Sequence, residues 1–147
     1  MFRGRYGHAI DAKGRVSLPA RFREALASLK EETFVATTAD EQCLRAYPAG
    51  AWKEFEEKLG QKNQFNPSIR RLTRHYVGNA QDLPIDGMGR VLIPPQLREY
   101  AGIEKEVIFL GQVRFIEIWS KERWEKAQSQ VLDRLPTDLQ ALSDLGI

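Results

Sequence analysis

Hydrophobic and polar positions along the chain fall into one short pattern that is used twice. Two runs of strand character, "RYGHAID" from Arg5 and "AQDLPID" from Ala80, each lead into a turn and a second run, "RVSLP" or "RVLIP". After the turn the period changes. In "PARFREALASL" the apolar residues Phe22, Ala25, Leu26 and Leu29 recur at helical spacing, which predicts a short helix with one buried face. Pro19, and Pro94 in the second copy, read as helix position N1, where a missing N–H costs nothing. "TFVATTAD" with "CLRAYP", and "EVIFLGQ" with "RFIEIWS", predict two further strands in each copy.

The repetition is explicit at residue level. Ile10 to Leu26 matches Ile85 to Ala101 at an offset of 75 residues, with Ile, Asp, Gly, Arg, Val, Pro, Arg and Glu recurring. Phe34 answers Phe109 at that offset, whereas Leu44, Tyr47 and Trp52 answer Ile116, Trp119 and Trp124 at an offset of 72. The first copy therefore carries three extra residues, which this alignment assigns to the polar stretch "TTADEQC". A unit of about sixty residues buries too little surface to be stable alone, so the two copies are expected to share a core. The organisation expected is a first unit over 1–60, a linking helix over 61–77, a second unit over 78–124, and a C-terminal helix and tail over 125–147.

Between and after the copies the pattern predicts amphipathic helices, around "AWKEFEEKLGQK", around "PSIRRLTRHYVG" opened by Asn66 and Pro67, and over "KERWEKAQSQVLDRL". Their aromatic residues Trp52, Phe55 and Trp124 read as packing residues. The closing "PTDLQALSDLGI" carries no motif, and a subunit contact is its one candidate role.

Composition narrows the class. An apolar fraction of 42% and a charged fraction of 29% are ordinary for a soluble domain, and no apolar run is long enough to span a bilayer. "MFRGRYGHAID" lacks the apolar segment of a signal peptide, and a single cysteine, Cys43, suits a reducing cytoplasm. Cys43 reads as a small packed side chain, since no motif supports a catalytic thiol. The net charge of +2 hides a segregation. Residues 1–23 hold Arg3, Arg5, Lys13, Arg15, Arg21 and Arg23 against Asp11 alone, and residues 61–81 hold Lys62, Arg70, Arg71 and Arg74 with no carboxylate. A phosphate-binding face and a solvated surface both account for this pattern.

Material for catalysis is thin. His8 and His75 have no second ligand at metal spacing, so no metal site is expected. "GMGR" lacks the later glycine of a dinucleotide fingerprint and precedes a strand, and "EFEEKL" reads as a solvated helix face. No nucleophile, base and orienter can be named together, so an enzyme is not expected.

The doubled turn is more informative. In Asp-x-x-Gly-Arg a three-residue hairpin loop places its last residue in the left-handed region, which explains Gly14 and Gly89 by backbone geometry. Asp11 with Arg15, and Asp86 with Arg90, then flank their loops closely enough to pair. An arginine held this way is aimed to meet phosphate or a guanine edge with two hydrogen bonds. The same pair could equally do no more than close its turn.

"MFRG", "DAKGRVSLPARFRE", "LRAYPAGAW", "NPSIRRLTRHYVGNAQDLPIDGMGRVLIPPQLREYAG" and "EVIFLGQ" together resemble the MraZ family of bacterial transcriptional regulators. The resemblance implies an α+β, mainly β fold: two tandem SpoVT/AbrB-like units sharing a swapped-hairpin-type β-barrel, with flanking helices. It implies a cytoplasmic, nucleoid-associated regulator without a cofactor, acting mainly as a repressor. The expected partners are double-stranded DNA and other copies of the chain. The chain would assemble into a homo-oligomeric ring on direct repeats upstream of the division and cell-wall gene cluster that its own gene heads. Asp11, Arg15, Asp86 and Arg90 carry over as DNA-facing residues, with Lys13 between the first pair and Met88 in its place in the second. Arg3 and Arg5 of the basic N-terminal stretch are further candidate DNA contacts. AbrB-like folds also serve as antitoxins, which leaves a protein-interaction module as the alternative.

Overall fold

The two sequence copies do not fold side by side; each completes the other's sheet. The computed structural model describes residues 1–147. The first copy contributes β1 (Arg5–Ala9), β2 (Arg15–Ser17), α1 (Ala20–Ser28), β3 (Thr33–Thr38) and β4 (Leu44–Pro48), followed by α2 (Ala49–Gly60) and α3 (Pro67–Tyr76). The second contributes β5 (Gln81–Pro84), β6 (Arg90–Leu92), α4 (Pro95–Ala101), β7 (Glu106–Gly111) and β8 (Ile116–Ser120), followed by α5 (Lys121–Gln128) and α6 (Val131–Asp144).

A six-stranded sheet runs in the order β1-β7-β8-β4-β3-β5, and β2 and β6 form a separate two-stranded ribbon. β1 of the first copy thus pairs with β7 of the second, while β5 of the second pairs with β3 of the first. The registers obey a two-fold relation within the chain. Tyr6 faces Phe109 as Gln81 faces Ala36, and the relation passes between Arg45 and Glu117, which face each other, and between Val16 and Val91.

This symmetry corrects the sequence alignment. Phe34 pairs with Pro48, and Val107 pairs with Ser120, the residue equivalent to Pro48. Phe34 therefore corresponds to Val107, and Phe109 to Ala36. Of the three extra residues in the first copy, two lie between α1 and β3 and one lies in the β3–β4 turn, not all three in "TTADEQC". Two phenylalanines on successive same-face positions imitated a match that pairing alone could resolve.

One core serves both copies. Phe2, Val16, Leu18, Phe22, Leu26 and Phe34 pack with Leu83, Val91, Ile93, Leu97, Phe109 and Ile118 in a single cluster. β3 is buried along nearly its whole length because it lies inside the sheet with α3 and α4 packed on it, so it reads as a run and not as an alternation. A smaller cluster of Ala39, Cys43, Leu110 and Trp119 lies under Trp124 and Ala127 of α5. Trp52 is buried against Tyr47, and Phe55 lies between Trp52 and Tyr76.

The sheet is open, which departs from the closed barrel implied by the resemblance. Closure would require β1 to pair with β5. Instead each of these strands turns away at its end, and the pairing capacity of the two hairpins goes into the β2–β6 ribbon. The free edges are short, and Pro84 blunts that of β5.

Helix boundaries differ from the sequence reading in three places. Pro19 and Pro94 are extended N-cap residues, and N1 is Ala20 in α1 and Pro95 in α4. The carbonyl of Pro19 accepts from the N–H groups of Phe22 and Arg23, so Pro19 sits half in the helix with its ring outside. Leu29 lies past the end of α1 and is exposed. The stretch read as one helix from Lys121 breaks at Ser129–Gln130, where the Ser129 hydroxyl donates to the Lys126 carbonyl, and "PTDLQALSDLGI" continues as part of α6. α3 begins as expected at Asn66, whose side chain accepts from the N–H groups of Ser68 and Ile69.

A fragment ending at Lys62 retains β1 to β4 and loses β5, β6 and β7, on which β3, β2 and β1 depend. It is expected to aggregate or to pair with a second fragment, and sedimentation showing a folded monomer would contradict this account of the core.

Candidate nucleic-acid interface

The two hairpin turns are built alike, bond for bond. In the first, the Asp11 N–H donates to the Arg15 carbonyl at 2.9 Å and the Gly14 N–H donates to the Asp11 carbonyl at 3.0 Å. Asp11 Oδ1 accepts from the backbone N–H groups of Lys13 and Arg15 at 3.0 and 2.8 Å, and Oδ2 accepts from Arg15 Nε at 2.8 Å. In the second, Asp86 Oδ1 accepts from Met88 and Arg90 at 2.8 and 2.9 Å, and Oδ2 accepts from Arg90 Nε at 3.0 Å. Each aspartate thus closes its turn and grips its arginine together.

The grip decides what the arginines can do. Nε is committed to the aspartate, and the two terminal nitrogens of each guanidinium bond nothing else in the chain, which leaves a planar two-donor edge facing solvent. The backbone N–H of Arg15 is the chief cause holding the Asp11 carboxyl below its ordinary pKa, with the Arg15 side chain adding to it; Arg90 and Met88 act likewise on Asp86. Both carboxylates therefore stay ionised at neutral pH. Exposed pairs of this kind add little stability, so their effect is mainly orientation.

The ribbon sets the two arginines on one face. Val16 and Val91 face each other and are buried, so Arg15, Ser17, Arg90 and Leu92 occupy the opposite face by strand alternation. Arg15 is opposite Leu92 and Ser17 opposite Arg90. Arg15 and Arg90 are thus diagonal neighbours, about 7–8 Å apart at that register. Their side chains are 39% and 29% exposed.

Each turn is locked by the other copy. The Ile93 N–H donates to the Gly14 carbonyl at 2.8 Å and the Leu18 N–H to the Gly89 carbonyl at 2.9 Å. Arg98 Nε donates to the Ile93 carbonyl at 2.9 Å, and Arg23 Nη1 donates to the carbonyls of Leu18 and Gly89 at 2.7 and 3.3 Å. Gly14 and Gly89 have φ of +90° and +76°, and a Cβ on Gly14 would lie 2.8 Å from both Arg98 Nε and the Ile93 carbonyl oxygen. Sequence reasoning counted Arg23 only as charge and did not single out Arg98. Their recurrence at the same place in "ARFRE" and "QLRE" was the available signal.

The remaining candidates are distributed. Lys13 is exposed at the first tip and Met88 at the second. Arg3 and Arg5 are exposed at the start of the hairpin, with Arg5 opposite Leu110, so Arg5 sits about 20 Å along the strand from Asp11. Arg70, Arg71 and Arg74 form an exposed strip on α3, whose Ile69, Thr73 and Tyr76 are turned inward. Cys43 is buried, which pushes its thiol up to about 12, and the charge of Glu117 adds to the shift. No three His, Cys, Asp or Glu side chains gather at metal spacing, and no helix is long and apolar enough to cross a membrane.

The two hairpins thus form a duplicated, internally symmetric unit in which one core displays two matched, aspartate-held guanidinium edges. The chain belongs to the MraZ family, described as "MraZ protein, putative antitoxin-like", which matches residues 1–75 and again 76–141. It is 42% identical to a transcriptional regulator MraZ of Nitrosospira multiformis over 97% of this chain and 99% of the relative. It is 40% identical to that of Coxiella burnetii, with the same coverage of each chain, and 40% identical to that of Clostridium acetobutylicum over the whole of both chains.

Replacing Gly14 with alanine imposes a positive φ and a clash with the second copy's Ile93 carbonyl. The variant is expected to lose about 1–3 kcal/mol of stability, read as a lower urea midpoint. An unchanged midpoint would mean that the turn relaxes freely.

Proposed function

We propose that this chain is a sequence-specific, DNA-binding transcriptional regulator that reads DNA with the two hairpin tips together. The observation that carries this reading is the pair of arginines, each fixed through Nε by its aspartate and each presenting free terminal nitrogens on one face of the β2–β6 ribbon. A guanidinium edge fixed in this way suits the O6 and N7 acceptors of guanine or a phosphate. Lys13 adds a point charge at the first tip. Arg3 and Arg5, set farther back, suit flanking phosphates. The names of the relatives support the same class of activity.

One tip contacts few phosphates, and non-specific affinities of that order are weak, about 10⁻⁴ to 10⁻⁶ M at physiological salt. Useful occupancy then calls for several tips at once. A homo-oligomeric ring built by one repeated head-to-tail contact presents identical tips in the same sense, and its matching DNA is a set of direct repeats. The chain accordingly acts in the cytoplasm, on the nucleoid, as a repressor at the promoter of the division and cell-wall gene cluster headed by its own gene. The antitoxin-like wording of the family description favours a protein partner instead. The tip arginines separate the two readings, because a toxin contact has no need of a base-reading edge.

Arg15→Ala is expected to weaken binding to DNA from upstream of its own gene by about 1–3 kcal/mol for the lost bidentate contact, with helix content and oligomer size unchanged. Gel shift and circular dichroism measure the two effects. Loss of folding without a specific loss of DNA binding would instead make the arginine a turn-closing residue.

Neighbouring subunits reaching one face of a duplex need boxes about one helical turn apart, roughly 10–10.5 bp. Inserting about half a turn between two boxes is expected to reduce affinity nearly to that of one box, and a full-turn insertion to restore part of it. Equal filter binding at all three spacings would mean that boxes are read independently.

A further inference from the structure

α6 is the largest anomaly on the surface. Every residue from Gln128 to Ile147 is exposed, although Leu132, Leu135, Leu139 and Leu142 recur at three- and four-residue spacing and form one apolar stripe. The helix is about 21 Å long, and a continuous leucine stripe of that length in water marks an interaction site, unlike a single scattered leucine. α3 provides the internal contrast. It too follows a helix packed on the sheet, but it is docked within the chain, with the Thr37 and Thr38 hydroxyls donating to the carbonyls of Tyr76 and His75. α6 has no such dock.

A second unpartnered apolar surface lies elsewhere on the chain. Met1, Leu29, Pro48, Ala51 and Val113 line a groove of about 380 Å³ together with Arg114, Glu31 and Glu54. Val113 is held at φ +70°, a costly conformation for a β-branched residue, by two hydrogen bonds with Phe2, and its side chain is nevertheless 54% exposed. The strained position leaves an apolar side chain half exposed at the groove.

The two surfaces belong to opposite ends of the sheet. Val113 lies in the turn before β8, whereas α5 begins after the last residue of β8. The far end of α5 stays at that second end, where Lys126, Ala127 and Gln130 gather with Glu41, Gln42 and Trp119 at the β3–β4 turn. α6 therefore starts at the end of the sheet opposite the groove. Two different apolar surfaces that belong to opposite ends of one sheet can make a head-to-tail contact that repeats.

We infer that the α6 leucine stripe seats in the Val113 groove of a second copy of this chain. Charge favours this occupant. Asp138 flanks the stripe on one side and suits Arg114, with Arg134 set farther round that side, while the other flank carries Pro136 and Ser143 and leaves no like charge for Glu31 and Glu54. The inference rests on the oligomeric reading proposed above and names the surfaces that make it.

The test is assembly of the full chain without DNA, measured by sedimentation velocity on the wild type, Leu139→Asp, Arg114→Asp, Asp138→Arg and the Arg114→Asp/Asp138→Arg double variant. Leu139 is exposed, and circular dichroism checks that each variant keeps its fold. The wild type should sediment as an assembly, the single variants as smaller species, and the charge-swapped double variant should regain size. Leu139→Asp should also lose the avidity of a multi-box DNA, about 10²- to 10⁴-fold, while keeping single-box binding. An assembly unaffected by Leu139→Asp, or a double variant that stays small, overturns the α6 contact and leaves the DNA reading standing. A single-chain wild type overturns self-association itself.

Discussion

The antiparallel pairing of Arg15–Ser17 with Arg90–Leu92 is the contact on which the rest of the structure depends. It joins two hairpins that come from different halves of the chain, and its central pair, Val16 and Val91, is buried in the common core. Because these hairpins meet each other, their first strands must find partners elsewhere, and each completes the sheet of the opposite copy. Cross-copy pairing is therefore one cooperative arrangement. It also carries a loop-closure cost, since every defining contact is distant in sequence.

The same pairing makes the candidate interface rigid at small electrostatic cost. Neither ion pair at the tips is buried enough to contribute much to stability, but each sits on a turn fixed by backbone bonds to its own aspartate and to the other copy. Arg23 and Arg98 complete the lock, and they occupy the space that a Cβ at Gly89 or Gly14 would need. Two arginines diagonal on a short ribbon repel each other. Their aspartates offset that repulsion locally while leaving the terminal nitrogens free. The result is a preorganised pair of donors, with the side-chain entropy of aiming already lost in the free protein.

Duplication did not make the halves identical. Lys13 stands where the second tip has Met88, and Ser17 where it has Leu92. Because the strands run antiparallel, Leu92 lies beside Arg15 and Ser17 beside Arg90, so each end of the face combines elements of both copies. The helices diverge further. α2 and α3 fold back on the first copy's strands, whereas α5 packs on β7 and β8 and α6 beyond it is exposed throughout.

What the sequence determined by itself was local. The repeat, the hairpin turns, the left-handed glycines, the aspartate–arginine pairs, the Asn66 cap and most strands were legible because their causes lie within about five residues, in turn geometry, capping and side-chain period. The shared core was also legible, as a consequence of unit size. Tertiary structure alone decided which strand pairs with which, that the sheet stays open, and that Phe34 corresponds to Val107 and not to Phe109. It alone placed Arg98 on the opposite tip and put Arg15 beside Arg90. The physical reason is that β-pairing is set by hydrogen bonds and burial between segments far apart in the chain. Several registers satisfy the same alternation, and only packing of the whole core selects one.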